Sequence, residues 1–334
     1  MFLWPDKNPR PSRGLSAAVW LGALAATAAL LAQSTVFKTK VELVHITATV
    51  KNSAGQLVGG LQKSDFTITD NGVRQDIALF QRQTDQPLSI ILMIDTSGST
   101  AKDLKYETDS AAKFLHVLLS EGNPKDAVAL YSFNYEVREE SGFTRNYQSL
   151  VDRFKYLHGQ AGTSLYDALQ LGSRALEPRD GRKVVVVITD GGDTTSGTSF
   201  ETALRDIQYA DAVLYPVVVI PITNDVGRNT GGEHALVFLA ERTGGKTFFP
   251  DLGGLDKAFA DIISELRTQY LLGYYPMGVP LTKEPYHKVQ VKMTAPDLHV
   301  SARDGYYGDS DPAAGPADAR TTVSPNGRKK RNNQ

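Results

Sequence analysis

"LSIILMIDTSGST" (residues 88–100) runs seven mostly apolar residues straight into Asp95 and a cluster of hydroxyls, Ser97, Ser99 and Thr100. A continuous apolar run of this length fits a strand covered on both faces, as in a parallel sheet between helices. The same texture returns in "AVALYSF" (127–133), "VVVVI" (184–188) and "AVLYPVVVI" (212–220). Helical patterns lie between these runs. "DLKYETDSAAKFLHVLLSEG" stops at Gly122, and "SLYDALQLGSRALEP" begins with Ser164 as a cap and stops at Pro178. Leu255, Ala258, Phe259, Ile262, Ile263 and Leu266 keep the spacing of an amphipathic helix. Strand and helix alternate, which predicts a doubly wound, mostly parallel, Rossmann-like α/β domain over residues 87–268.

Working outward, residues 38–86 read as short strands, with Asn71-Gly72 set for a tight hairpin between "DFTIT" and the run that ends in "IALF". After the α/β domain, "YLLGYYP", "HKVQVKM" and "LHVSARDGYYG" make residues 269–308 β-rich again. The two flanks are expected to join as one small β module. Residues 309–334, rich in Ala, Pro, Asp, Asn and Arg, read as a disordered tail. At the other end, Lys7, Arg10 and Arg13 precede the uncharged run 15–32 and the small-residue exit Ala32-Gln33-Ser34. Residues 1–34 therefore read as a signal peptide, with an N-terminal membrane anchor through residues 15–32 as the competing reading. Either predicts an exported chain: periplasmic, secreted, or anchored and facing outward.

Composition removes several classes of function. A formal net charge of -1 provides no single-sign field for nucleic acid. The absence of cysteine removes thiol catalysis, disulfides and cysteine-ligated zinc.

In open α/β sheets the ligand crevice lies beyond the carboxyl ends of the strands, where the winding reverses. Asp95, Ser97 and Ser99 follow the first strand of the domain. Asp190, in "VVVVITDGGD", follows another strand, and Thr163, in "GQAGTSLYDAL", precedes the helix between them. These side chains are all hard oxygen donors, two carboxylates and three hydroxyls. Such a set suits magnesium or manganese, and the lack of nearby Cys or His argues against zinc.

On these residues the stretch 88–268 resembles a von Willebrand factor A domain, and its D-x-S-x-S…T…D set is similar to a metal-ion-dependent adhesion site. The resemblance implies sheet order 3-2-1-4-5-6, counted within the domain, with one antiparallel strand around Glu136 to Phe143. It implies Mg2+ (or Mn2+ or Ca2+) held directly by Ser97, Ser99 and often Thr163, with Asp95 and Asp190 acting mostly through waters. An acidic residue of a protein partner would complete the coordination. The flanks are similar to exported von Willebrand A proteins of acidobacteria, a group with no defined activity to transfer.

Two other classes compete with this reading. One is a structural or assembly subunit of an envelope complex, in which the metal only stiffens loops. The other is a metal-assisted hydrolase, which needs a general base near the ion. His234 opens a helix on the correct edge but reads as a surface residue, and His116 reads as core packing. There is no GxxxxGK[ST] or GxGxxG phosphate loop, and "TSGS" lacks the GxSxG elbow. The sequence thus reads as non-enzymatic. Asp193 is either an auxiliary charge or a turn residue. Tyr270, Tyr274, Tyr275, Tyr306 and Tyr307 are either packing at strand ends or a sugar-binding surface.

Overall fold

The computed structural model describes residues 43–82, 86–100, 102–219, 230–280 and 282–308. The leader, residues 1–34, and the tail, 309–334, lie outside the described residues. The chain before the α/β domain forms β1 (Val44–Asn52), β2 (Phe66–Asp70), β3 (Val73–Gln75) and β4 (Ile77–Arg82). Asn71 and Gly72 take φ of 45° and 82° and join β2 to β3. Positive φ at both central residues is what a two-residue hairpin requires, and Asn-Gly supplies it at little steric cost.

The central sheet comprises β5 (Leu88–Asp95), β6 (Ala127–Phe133), β7 (Val137–Thr144), β8 (Arg182–Thr189) and β9 (Ala212–Val218). Its order is β7-β6-β5-β8-β9, with β7 antiparallel to β6 and all other pairs parallel. Counted within the domain this is 3-2-1-4-5. The implied sixth strand shrinks to a single bridge, Val217 to Phe248, in which Phe248 exchanges backbone hydrogen bonds with Pro216 and Val218. The helices are α1 (Leu104–Glu121), α2 (Tyr147–Phe154), α3 (Leu165–Leu176), α4 (Phe200–Tyr209), α5 (Thr230–Thr243) and α6 (Leu255–Thr268).

All eight residues of β5 are buried because helices cover both faces. Leu88, Ile90, Leu92 and Ile94 join one core with Phe114 and Leu115 of α1 and Phe259 and Ile262 of α6. Ile91 and Met93 join the opposite core with Leu165 and Leu169 of α3, Ile207 of α4 and Leu236 of α5. Alternate side chains thus serve opposite layers, which explains why the sequence shows no polar alternation here. Gly172 of α3 leaves room for the end of the Met93 side chain.

The flanking strands interleave. β10 (Tyr270–Tyr274), β11 (Tyr286–Met293), β12 (Leu298–Ala302) and β13 (Gly305–Tyr307) complete two four-stranded antiparallel sheets, β12-β1-β10-β4 and β13-β11-β2-β3. Both mix strands from before and after the α/β domain. One core unites them, including Ile46, Val50, Phe66, Ile68, Tyr270 and Tyr274. Gln269, just after α6, fastens this module to the central sheet by donating to Thr49 Oγ1 (3.1 Å) and Tyr215 Oη (2.7 Å).

Candidate metal centre

β5 has β6 on one side and β8 on the other, so its carboxyl end is the point where the winding reverses. Asp95 is its last residue and is fully buried. Its Oδ1 accepts a hydrogen bond from Ser97 N (2.8 Å) and its Oδ2 accepts one from Thr189 Oγ1 (2.7 Å), at the end of the neighbouring β8. Thr100 Oγ1 reaches back to the carbonyls of Asp95 (2.9 Å) and Ser97 (3.0 Å), closing the loop after β5. The hydroxyls of buried Ser97 and exposed Ser99 then stand 3.1 Å apart.

Two other loops are tied to this one. Gln160 N donates to Thr96 O (2.9 Å) and Gln160 bridges Ser97. Three residues on, buried Thr163 donates its N–H to Thr194 Oγ1 (2.9 Å), and Thr194 N donates back to Thr163 O (2.8 Å). The loop before α3 is therefore stitched both to the Asp95 loop and to the loop after β8. Asp190, half-buried, begins that last loop. The chain thus brings the three loops carrying Asp95, Ser97, Ser99, Thr163 and Asp190 to one edge of the sheet.

The neighbouring residues differ from expectation in detail. Ser164 stands at the N-cap of α3, but its side chain does not cap the helix. Its hydroxyl instead meets Tyr135 O (3.1 Å) and Thr195 Oγ1 (2.8 Å). Asp193 takes the turn role: its Oδ1 accepts from Tyr166 N (3.2 Å) and Ser196 Oγ (2.5 Å). His116 is exposed beside the Tyr147 ring, not in the core, because its position turns away from the stripe that faces the sheet. His234 is exposed on the first turns of α5. The tyrosines are divided: Tyr270 and Tyr274 are buried, Tyr306 and Tyr307 half-buried, and Tyr275 exposed.

The electrostatics are one-sided. Burial pushes the Asp95 carboxyl up to about 6 against the hydrogen bonds from Thr189 and Ser97, and the charge of Asp190 adds to the rise. Glu107, on the first turn of α1, is also buried and is pushed up to about 8, by burial first and then by the charges of Asp95, Asp103 and Asp190. Among the described residues no Lys, Arg or His forms an ion pair with Asp95, Asp190 or Glu107. Sequence reasoning missed Glu107, although it heads the buried stripe Ala111, Phe114, Leu118 at helical spacing.

These donors fit a small divalent ion. Neighbouring ligands of an octahedral ion bound at 2.0–2.1 Å are separated by roughly 2.9 Å, close to the Ser97–Ser99 spacing. Among the described residues no three Asp, Glu or His side chains converge to hold a metal by themselves.

A comparison with curated proteins finds no match. Among solved structures, the chain is similar to the vWF domain of the type V pili tip protein Mfa5 from Porphyromonas gingivalis, at 14% identity and TM-score 0.46, covering 54% of this chain and 95% of that one. A von Willebrand factor type A structure from Catenulispora acidiphila shares 11% identity at TM-score 0.46, covering 82% and 76%. The open conformation of the pilus adhesin SpaC from Lactobacillus rhamnosus GG shares 10% identity at TM-score 0.47, covering 73% and 47%. The fold assignment rests on the sheet order and strand directions. Residues 90–192 match the family model of the von Willebrand factor type A domain, a span that contains all five candidate ligands.

Proposed function

We propose that the chain is an exported module that binds a protein partner through a divalent cation held by Asp95, Ser97, Ser99, Thr163 and Asp190. The observation that carries this reading is the pair of converging hydroxyls, Ser97 and Ser99, beside a buried aspartate to which no cationic side chain among the described residues is paired. Mg2+ or Mn2+ suits this set of hard oxygen donors, with Ca2+ as the alternative. An ion held by neutral hydroxyls keeps much of its charge and attracts a carboxylate from a partner protein. The protein residues position the donors: Thr189 and the Ser97 amide orient Asp95, while Thr100 and Gln160 fix the loop that presents the serines. His116 and His234 are both exposed, and the binding reading assigns neither of them a role as general base. Nucleic acid is not a partner in this reading. The leader, cleaved or retained as an anchor through residues 15–32, accounts for export.

The test is capture of an acidic protein or an immobilised carboxylate-rich peptide, in Mg2+ and in EDTA. Capture in Mg2+, release in EDTA and weaker capture by Thr163→Ala support the reading. Capture that ignores EDTA contradicts it. A second reading, the assembly subunit, is favoured by the hydrogen bonds that already join Thr96 to Gln160 and Thr163 to Thr194. It predicts metal binding without capture.

The leader has its own test. Trp4 and Trp20 are the two tryptophans of the sequence and both precede residue 34. Intact mass from the native host distinguishes a cleaved chain, free of tryptophan, from an anchored one.

A further inference from the structure

Glu107 is a buried acid whose position no packing need explains. It is 1% exposed and begins a stripe otherwise made of Ala111, Phe114, Leu115 and Leu118, all turned toward the central sheet. Residues at this spacing share one helix face, so the carboxylate lies on the inward face, near enough to Asp95 for its charge to act on it. Its Oε2 is buried and has no hydrogen-bond partner among the described residues. An apolar side chain of the same length would complete the stripe without the penalty of a buried oxygen left unpaired. The acid is costly to folding unless a positive charge comes to it. Asp95 and Asp190 are near enough for their charges to act on it, and no ion pair relieves any of the three.

We propose that Glu107 belongs to the cation site as its buried counter-charge, raising the affinity for Mg2+ without ligating the ion directly. This rests on the reading of Asp95, Ser97, Ser99, Thr163 and Asp190 as a cation site. Direct ligation is set aside because the three carboxylates do not converge on one point. The charge acts through low-dielectric protein, where an acid attracts a divalent ion over several ångströms with little screening. It also makes the loaded site less attractive to a partner's carboxylate. Removing the charge therefore weakens the metal and does not weaken capture once the metal is saturating. A purely structural residue produces no such split.

The experiment is titration calorimetry of the mature chain with MgCl2, comparing wild type, Glu107→Gln and Asp95→Ala, with folding checked by circular dichroism. The expected result is a roughly tenfold or larger loss of Mg2+ affinity in Glu107→Gln. Capture of the carboxylate-rich peptide at saturating Mg2+ should be undiminished in that variant. Glu107→Met, of similar length on an apolar stripe, gives the same result should the glutamine variant fail to fold. Wild-type affinity in either folded variant overturns the role of Glu107 and leaves the site intact. No Mg2+ binding by wild type overturns both. Binding that survives Asp95→Ala overturns the site itself.

Discussion

Two buried acidic sites in this chain have been resolved in opposite ways. In the β module, Asp70 is fully buried, but its Oδ2 accepts hydrogen bonds from Tyr274 Oη and Tyr306 Oη (2.8 Å each), and its Oδ1 lies 3.1 Å from His287 Nδ1. Burial pushes both tyrosine hydroxyls up, well away from ionisation, so they remain donors. The chain supplies everything this carboxylate needs. At the carboxyl edge of the central sheet, Asp95 has hydrogen bonds but no paired cationic side chain, and Glu107 has an oxygen with no partner, among the described residues. A satisfied network specifies structure, and a network short of positive charge is suited to receive it. The same contrast decides which site is a candidate for function.

The largest effect is expected where the network is complete. Asp70→Ala removes the acceptor shared by Tyr274 and Tyr306 and the carboxylate beside His287, and should cost roughly 3–5 kcal/mol in urea unfolding. That loss should be the same in Mg2+ and in EDTA. Rescue by Mg2+ would erase the distinction between the two sites.

The next effect is a pH dependence confined to the acidic edge. Asp95 and Glu107 rise from 3.8 and 4.5 to about 6 and about 8. Between those limits the folded chain keeps protons that the unfolded chain has lost, so stability falls as pH rises through the window. The metal-free protein should lose roughly 3–5 kcal/mol between pH 5 and pH 8, most of it through Glu107. Glu107→Gln should flatten much of that slope. A slope unchanged in this variant would mean that the acid bears no unmet charge.

Smaller effects sharpen the comparison. Thr163→Ala should weaken Mg2+ binding by about 1 kcal/mol in calorimetry while leaving unfolding in EDTA nearly unchanged. His234→Ala, at an exposed position, should alter stability by less than about 0.5 kcal/mol and leave capture intact. Metal-dependent turnover that disappears in that variant would favour the hydrolase.

The contrast also marks what the sequence could carry. β5, β8 and β9 were legible because strands buried on both faces must be continuously apolar. The β2–β3 hairpin was legible because Asn71-Gly72 announces positive φ locally. That the two flanks join was expected from their strand texture, but which strands pair, β1 with β10 and β12, was not legible, since pairings more than two hundred residues apart leave no local signature. The sixth strand failed because Phe248 alone makes the bridge. At the site, Asp95, Ser97, Ser99, Thr163 and Asp190 stood out as hard donors at strand ends. Thr189 and Gln160, which orient them, belong to residue types common in any strand or loop. Glu107 had a signal, its place on the stripe of Ala111 and Phe114, but within "KYETDS" it resembles a solvated helix start. His116 was misread by the same geometry in reverse, as one position's rotation moves a side chain from core to solvent.

The most direct test of the central claim is a crystal of the mature chain soaked in MnCl2 and measured at the manganese absorption edge. The account predicts an anomalous peak roughly 2.1 Å from both Ser97 Oγ and Ser99 Oγ, at the carboxyl end of β5, and its absence in Asp95→Ala. A fully soaked crystal with no peak between those hydroxyls, or with a peak that persists unchanged in Asp95→Ala, would contradict it.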